Sequence, residues 1–295
     1  MKKDITELYC FIDDFTKSCK EVIQSKQIAL NGKYNRPTRI PGLDESEIIA
    51  IILLFQQSPC KNFKYFYKSY LQLYKHEFPE MPSYERFIAL MPRVIPYMIV
   101  LLYSLLTPPS LSNIYFIDSS SLAVCSNKRI SRNKVFKGLA QIGKTTKGWF
   151  FGFKLHIIID EKGNLVRVKL TAGNRDDRSV VKHMTNNMFG FLFGDKGYIS
   201  KDLFIELYNR GLKLVTGIKS NMKNILMQLH DKIMLRKRSL VETVFDYLKN
   251  KFSIEHTRHR SPTNAFIHII STLIHYQLKP TKPSITNDYC LTVNP

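Results

Sequence analysis

Residues 149–171, WFFGFKLHIIIDEKGNLVRVKLT, decide the fold class. The first part is dense in aromatic and β-branched residues and predicts a long strand over 149–159. DEKGN at 160–164 supplies turn residues, and 165–171 alternates apolar with polar as a second strand does, so the stretch predicts an antiparallel meander. Upstream, IYFI at 114–117 predicts a shorter strand. Downstream the pattern alternates: a helix near 178–188, a strand at 191–193, a helix at 200–210, a strand at 212–216 and a helix from about 235 to 251. The order β-β-β-α-β-α-β-α predicts an α/β fold of three layers, a mixed sheet with helices on both faces.

The region before it is mostly helical. Ile48, Ile51, Ile52 and Phe55 repeat at helix spacing behind the acidic start Asp44, Glu45 and Glu47. After Pro59, the residues Phe63, Phe66, Tyr67, Tyr70, Leu71 and Tyr74 form one stripe, with Lys61, Lys64, Lys68 and Lys75 between them. Such a face can grip phosphates, but at this spacing the core reading is the stronger. Pro92 and Pro96 interrupt the next helix and Pro108-Pro109 end it. The expected division is therefore a helical N-terminal region at 1–110, an α/β domain at 111–255, and a C-terminal helix and tail at 256–295.

With 295 residues, 44% of them hydrophobic and 12% aromatic, the chain can fill a core. Its formal charge is +20, and unevenly placed: residues 1–112 carry 14 Lys+Arg against 11 Asp+Glu, residues 113–295 carry 30 against 13. Nucleic acid is the partner such a field favours, ahead of a lipid surface, with solubility as the plain alternative. The five cysteines, Cys10, Cys19, Cys60, Cys125 and Cys290, contain no CxxC pair, so neither a disulfide framework nor a zinc site is expected and a reducing cytoplasm fits. The longest apolar run, 97–106, is too short to span a bilayer, so no membrane partner is expected.

Three acids stand out. Asp118 follows IYFI directly, where α/β sheets place ligands, though it or Ser119, Ser120 or Ser121 serves equally well as a turn cap. Asp195 in FLFGDKGY follows a short strand, and a Gly-flanked Asp is also an ordinary turn residue. Glu242 lies in RKRSLVETVFDYLKN with Arg238 four residues before it and Lys249 seven after, and Arg238–Glu242 also reads as a plain surface ion pair. Together they gain weight, because the expected topology carries them on the first strand, the fourth strand and the last helix. Carboxylates so arranged suit Mg²⁺ or Mn²⁺.

Two other signals need placing. Gly138-Leu-Ala-Gln-Ile-Gly143-Lys144-Thr145 satisfies the P-loop pattern, with Asp160 imitating its acidic strand. A basic segment precedes it and a strand follows, so the context opposes nucleotide binding. His156 reads as a packed or hydrogen-bonded histidine, and His256 with His259 as an improbable zinc pair.

The layout resembles the RNase H-like catalytic domain of DDE transposases. IDSSSLAVC, NKRISRNKVFKGLA, GWFFGFKLH and GDKGYIS resemble motifs of bacterial insertion-sequence transposases, the insertion sequence 982 family above all. The resemblance implies that Asp118, Asp195 and Glu242 are the catalytic acids and hold two Mg²⁺ (or Mn²⁺) ions about 3.5–4 Å apart. It also implies that Arg238 and Lys249 take the basic positions of the signature Tyr-x2-Arg-x3-Glu-x6-Lys, whose tyrosine is Leu235 here. Lys128, Arg129, Arg132, Lys134, Lys137, Lys144 and Lys147 are expected to lie beside Asp118 and hold DNA backbone, or else to form a solvated loop. The implied function is cleavage at insertion-sequence ends and transfer of the 3′-hydroxyl into target DNA. The partners are double-stranded DNA, both terminal inverted repeats and target, and further copies in a homodimer or larger oligomer on DNA, in the bacterial cytoplasm with the nucleoid. The alternatives are a DNA-binding protein or repressor without catalysis, and a stand-alone metal-dependent nuclease.

Overall fold

The computed structural model describes residues 5–31 (backbone alone for 26–31), 42–146, 148–219, 222 and 226–285. Lys147, the expected tail from 286 onward and Cys290 within it lie outside the described residues. The chain clusters into two compact units: Met1–Leu105 with Phe252–Ile254 and His259–Pro280, and Leu106–Lys251 with Glu255–Arg258 and Thr281–Pro295.

The first unit is helical. Helix α1 (Ile5–Asn31) is followed by α2 (Glu45–Gln57), whose start is set by a capping box. The Glu45 amide donates to Asp44 Oδ1 at 2.7 Å, and the Asp44 amide donates to Glu47 Oε2 at 2.8 Å. Ile48 to Leu54 are buried without interruption, so α2 is apolar all round and sits inside its unit. The aromatic stripe begins as α3 (Phe63–Tyr65), widens in a π turn (Phe66–Tyr70) and tightens in a 3-10 turn (Leu71–Tyr74). Phe66, Tyr67 and Leu71 are buried, and the rings of Tyr67 and Phe87 lie 4.8 Å apart, so the stripe is core. Helix α4 (Tyr84–Leu90) passes through a 3-10 turn (Met91–Val94) into α5 (Ile95–Leu105). Pro92 and Pro96 stand near the starts of these pieces, where a missing N–H costs little, so the helical run bends without ending. The run Tyr84–Leu111 is thereby long and apolar enough to cross a membrane by length and composition. Within α5, however, Tyr97, Met98, Leu101 and Leu102 are buried, and α5 packs on α1 as a core helix does.

The second unit is built on a six-stranded mixed sheet: β1 (Ile114–Cys125), β2 (Gln141–Thr145), β3 (Gly148–Asp160), β4 (Leu165–Ala172), β5 (Gly190–Gly194) and β6 (Leu212–Thr216). β3 pairs antiparallel with β1 along one edge and with β2 and then β4 along the other. β1 pairs parallel with β5, and β5 parallel with β6. The turn between β3 and β4 is fixed by Asp160, whose Oδ1 accepts from the amides of Lys162 (2.9 Å) and Asn164 (2.8 Å). Helices α6 (Arg178–Met184) and α7 (Lys201–Asn209) cover one face, where Tyr115, Ile117, Ile158, Leu192 and Leu214 meet Val181, Met184, Leu203 and Leu207. Helices α8 (Leu229–Lys237) and α9 (Ser239–Asp246) lie on the other, α8 against β5 and β6 and α9 against β1. This is the three-layer arrangement expected from the sequence, a mixed sheet with helices on both faces, preceded by a helical region. The last helix, α10 (Pro262–Leu278), belongs to the first unit, where Gln56 Nε2 donates to Ser271 Oγ at 2.9 Å.

Three details differ from the sequence reading. β2 was not expected. The helix read as ending near residue 188 stops at Met184, where Thr185 folds its hydroxyl back onto the Val181 carbonyl at 2.8 Å. The helix read over 235–251 is α8, a joint at Arg238, α9 and a π turn (Tyr247–Lys251).

Candidate active site

The site begins where two parallel strands part. The β1–β5 ladder ends at Phe116 opposite Phe193, whose rings lie 5.6 Å apart. Two residues further along each chain stand Asp118 and Asp195. Side chains alternate along a strand, so both acids continue the Phe116 and Phe193 row, on the α8/α9 face. β5 stops at Gly194 and Asp195 caps a short 3-10 turn, its carboxylate accepting from the Lys196 amide. β1 does not stop. It runs on to Cys125 against β3, so Asp118 stands in mid-strand, at the end of the parallel pairing and not at the end of the strand as expected. The opening between β1 and β5 is the kind of crevice in which α/β sheets bind ligands.

The third acid arrives from above this face. In α9, Leu240, Val241, Val244 and Phe245 are buried, and Glu242 flanks that stripe with its side chain 60% exposed. Arg238, in the α8–α9 joint, links two of the acids. Its Nη2 donates to Glu242 Oε1 at 2.9 Å and its Nη1 donates to Asp118 Oδ2 at 3.2 Å. The i,i+4 ion pair read from the sequence is therefore present, but the same guanidinium also reaches an acid 120 residues away. Burial raises the Asp118 carboxyl to about 6; the Ser119 amide and Arg238 pull it down, and the charges of Asp195 and Glu242 push it up. All three acids thus share one electrostatic neighbourhood. Among the described residues, no group of three His, Cys, Asp or Glu stands ready as an ion cage.

Lys249, in the π turn, has two partners on the β1 side. Its Nζ donates to the Ser121 carbonyl at 2.6 Å and pairs with Glu255 Oε2 at 3.1 Å. Glu255 Oε1 in turn accepts from the Ala123 amide at 3.1 Å. Lys249 and Glu255 therefore clasp β1 beyond Asp118. Nothing in the sequence singled out Glu255.

Residues 109–262 match the family model described as Transposase DDE domain. The chain belongs to that family. A search of curated proteins gave no match. Among solved structures the chain is similar to the piggyBac transposase, seen by cryo-electron microscopy in a synaptic complex with hairpin DNA, at 11% identity and a TM-score of 0.47, over 85% of this chain and 69% of that one.

The basic group Lys128, Arg129, Arg132, Lys134, Lys137 and Lys144 does not follow directly on Asp118. Seven further residues of β1, roughly 20 Å of strand, separate it from the 3-10 segment Asn127–Arg132 that carries Lys128, Arg129 and Arg132. Lys134 and Lys137 follow, and Lys144 lies on β2. The strand continues past the acid because Ser119 to Cys125 pair with β3, which the short apolar run IYFI did not announce. All six cations are exposed, and among the described residues none has a carboxylate partner. Gly143, Lys144 and Thr145 lie in a strand, so no helix start follows the P-loop pattern to receive a phosphate.

The other face of the DDE domain's sheet holds a second polar group. Ser119 pairs with His156, one residue along from Asp118 and so on the α6/α7 side. His156 is fully buried, its Nε2 2.8 Å from Thr171 Oγ1 and its Nδ1 3.9 Å from Asp177 Oδ1, and burial lowers its pKa to about 4. Lys154 Nζ pairs with the same Asp177 oxygen at 3.1 Å. Tyr198, the tyrosine of GDKGY, is 2% exposed; burial, and then the charges of Asp118 and Asp177, hold its hydroxyl in the neutral form. Neither Tyr198 Oη nor His156 Nδ1 has a hydrogen bond of good geometry.

Proposed function

We propose that this DDE transposase cuts DNA at the ends of an insertion sequence of the 982 family and joins the freed 3′-hydroxyls to target DNA, with Asp118, Asp195 and Glu242 as its acidic centre. The observation that carries this reading is the Arg238 guanidinium bonded to both Asp118 and Glu242, with the charge of Asp195 also bearing on Asp118. The donor set fits Mg²⁺ or Mn²⁺, since its oxygens are hard and the partly desolvated Asp118 gains from added positive charge. Two such ions would supply Lewis acidity at the scissile phosphate and lower the pKa of the attacking water.

The chain's own residues do the rest. The Ser119 amide holds one oxygen of Asp118, at 2.8 Å, and Arg238 holds the other. Arg238 has further N–H donors for a DNA phosphate. Lys249 and Glu255 fix the strand that carries Asp118, and the exposed cations from Lys128 to Lys144 take the DNA backbone further along. The substrates are terminal inverted repeats and duplex target, handled by a homodimer or larger assembly in the bacterial cytoplasm.

Incubating the protein with candidate element ends and Mg²⁺, then mapping products, tests the proposal. Cleaved 3′-ends that reappear joined to target are expected. Cleavage without joining would leave a stand-alone nuclease, and binding without either would leave a DNA-binding protein.

A further inference from the structure

The segment that imitates a P-loop has another use. β2 and β3 form a hairpin in which Lys144 pairs with Trp149. Trp149 is the chain's single tryptophan and is 59% exposed, with Ile142 47% and Leu139 48% exposed nearby in sequence. Lys144 Nζ lies 5.4 Å from the centre of its ring. The hairpin is anchored: Asn127 Nδ2 donates to the Trp149 carbonyl at 2.8 Å, tying it to the segment that carries Lys128, Arg129 and Arg132. It is also closely packed, because a Cβ on Gly143 would collide with the Gly173 carbonyl and one on Gly152 with the Leu122 carbonyl.

An aromatic ring left mostly in solvent contributes less to folding than a buried one would. Here it stands beside Lys144, on a hairpin tied to the segment that carries exposed cations without carboxylate partners among the described residues. A ligand that satisfies both features carries negative charge and a flat apolar face. Unpaired nucleobases on a phosphate backbone have both, whereas duplex DNA hides its base faces in the stack. We propose that Trp149 and Lys144 form a stacking site for an unpaired base of a DNA strand, with Lys128, Arg129 and Arg132 on the adjoining phosphates. This rests on the reading of the protein as a DNA-processing enzyme, and it adds a preference for strands opened at the site of reaction.

The single tryptophan makes the test direct. The full-length protein is titrated with a fluorescently labelled single-stranded oligonucleotide and with a blunt duplex of equal length. Anisotropy of the label reports binding, and intrinsic emission reports Trp149. Single-stranded DNA should quench the emission strongly at saturation and duplex DNA much less. Trp149→Ala should weaken single-strand binding by about tenfold or more while leaving duplex affinity within about twofold, and Trp149→Tyr should restore most of the loss. Binding of single strands without quenching, or unchanged affinity in Trp149→Ala, would overturn the stacking site alone. Failure to bind either DNA would overturn it together with the reading on which it rests.

Discussion

The two faces of the sheet treat buried polar groups in opposite ways. On the α8/α9 face, Asp118 is partly open to solvent and shares Arg238 with Glu242. One residue away, on the α6/α7 face, His156 and Tyr198 are closed in and each leaves one polar atom without a hydrogen bond. A charge kept next to an opening by a counter-charge can be exchanged for a ligand. A neutral group closed in by the fold cannot, and it serves the packing and position of its neighbours. The difference separates a face open to a ligand from a closed one across a single sheet.

The largest contrast should appear in catalysis. Asp118→Asn, Asp195→Asn and Glu242→Gln should each lower metal-dependent cleavage by about a thousandfold or more with DNA binding retained, whereas His156→Gln should lower it by less than about tenfold. Cleavage time courses with binding controls check this, and equal losses on the two faces would erase the distinction.

Stability should then depend on pH with opposite sign on the two faces. Asp118 has a raised folded pKa, so with chelator present the native state binds more protons than the unfolded state between about 4 and 6, and stability falls as pH rises through that window. His156 is lowered from 6.5 to about 4, so the unfolded state binds more protons there, and stability falls as pH drops. Asp118→Asn should stabilise the metal-free protein at pH 8, by roughly 2–3 kcal/mol at most, with the gain gone below about pH 4. Replacing His156 by Gln should flatten the acid limb instead. Melts from pH 4 to 8 distinguish the two.

Arg238→Ala should leave Asp118 buried without its counter-charge. A loss of about 1–3 kcal/mol in metal-free stability at pH 8 is expected, shrinking as the carboxyl protonates. A loss that stays constant with pH would mean that Arg238 acts through packing. The smallest effect should belong to Tyr198→Phe. Removing an unsatisfied hydroxyl should be neutral or stabilise by up to about 1 kcal/mol, and a clear destabilisation in denaturant melts would reveal a partner for that oxygen.

Local chemistry explains what was legible in the sequence. The isoleucine run of β3, the Asx turn at Asp160 and the alternation of β4 declare themselves within a few residues, and they fix the sheet. Asp118 and Asp195 were legible as acids behind apolar runs. What depends on distant partners was not: the extension of β1 to Cys125 comes from pairing with β3, and it carries Lys128 and its neighbours away from the acids. The joint at Arg238 accompanies a guanidinium that reaches both Asp118 and Glu242, and Glu255 matters only because Lys249 and Ala123 meet it. Tyr198 stood in a quoted motif, but only the fold shows that it is buried on the face opposite Asp118.

The most direct test is a crystal of the protein grown with Mn²⁺ and measured for anomalous scattering. Peaks held by carboxylate oxygens of Asp118 and Asp195, with Glu242 completing the set and Arg238 drawn off at least one of them, are what the acidic centre predicts. Mn²⁺ bound elsewhere, or no peak under conditions in which the same preparation cleaves DNA, would contradict it.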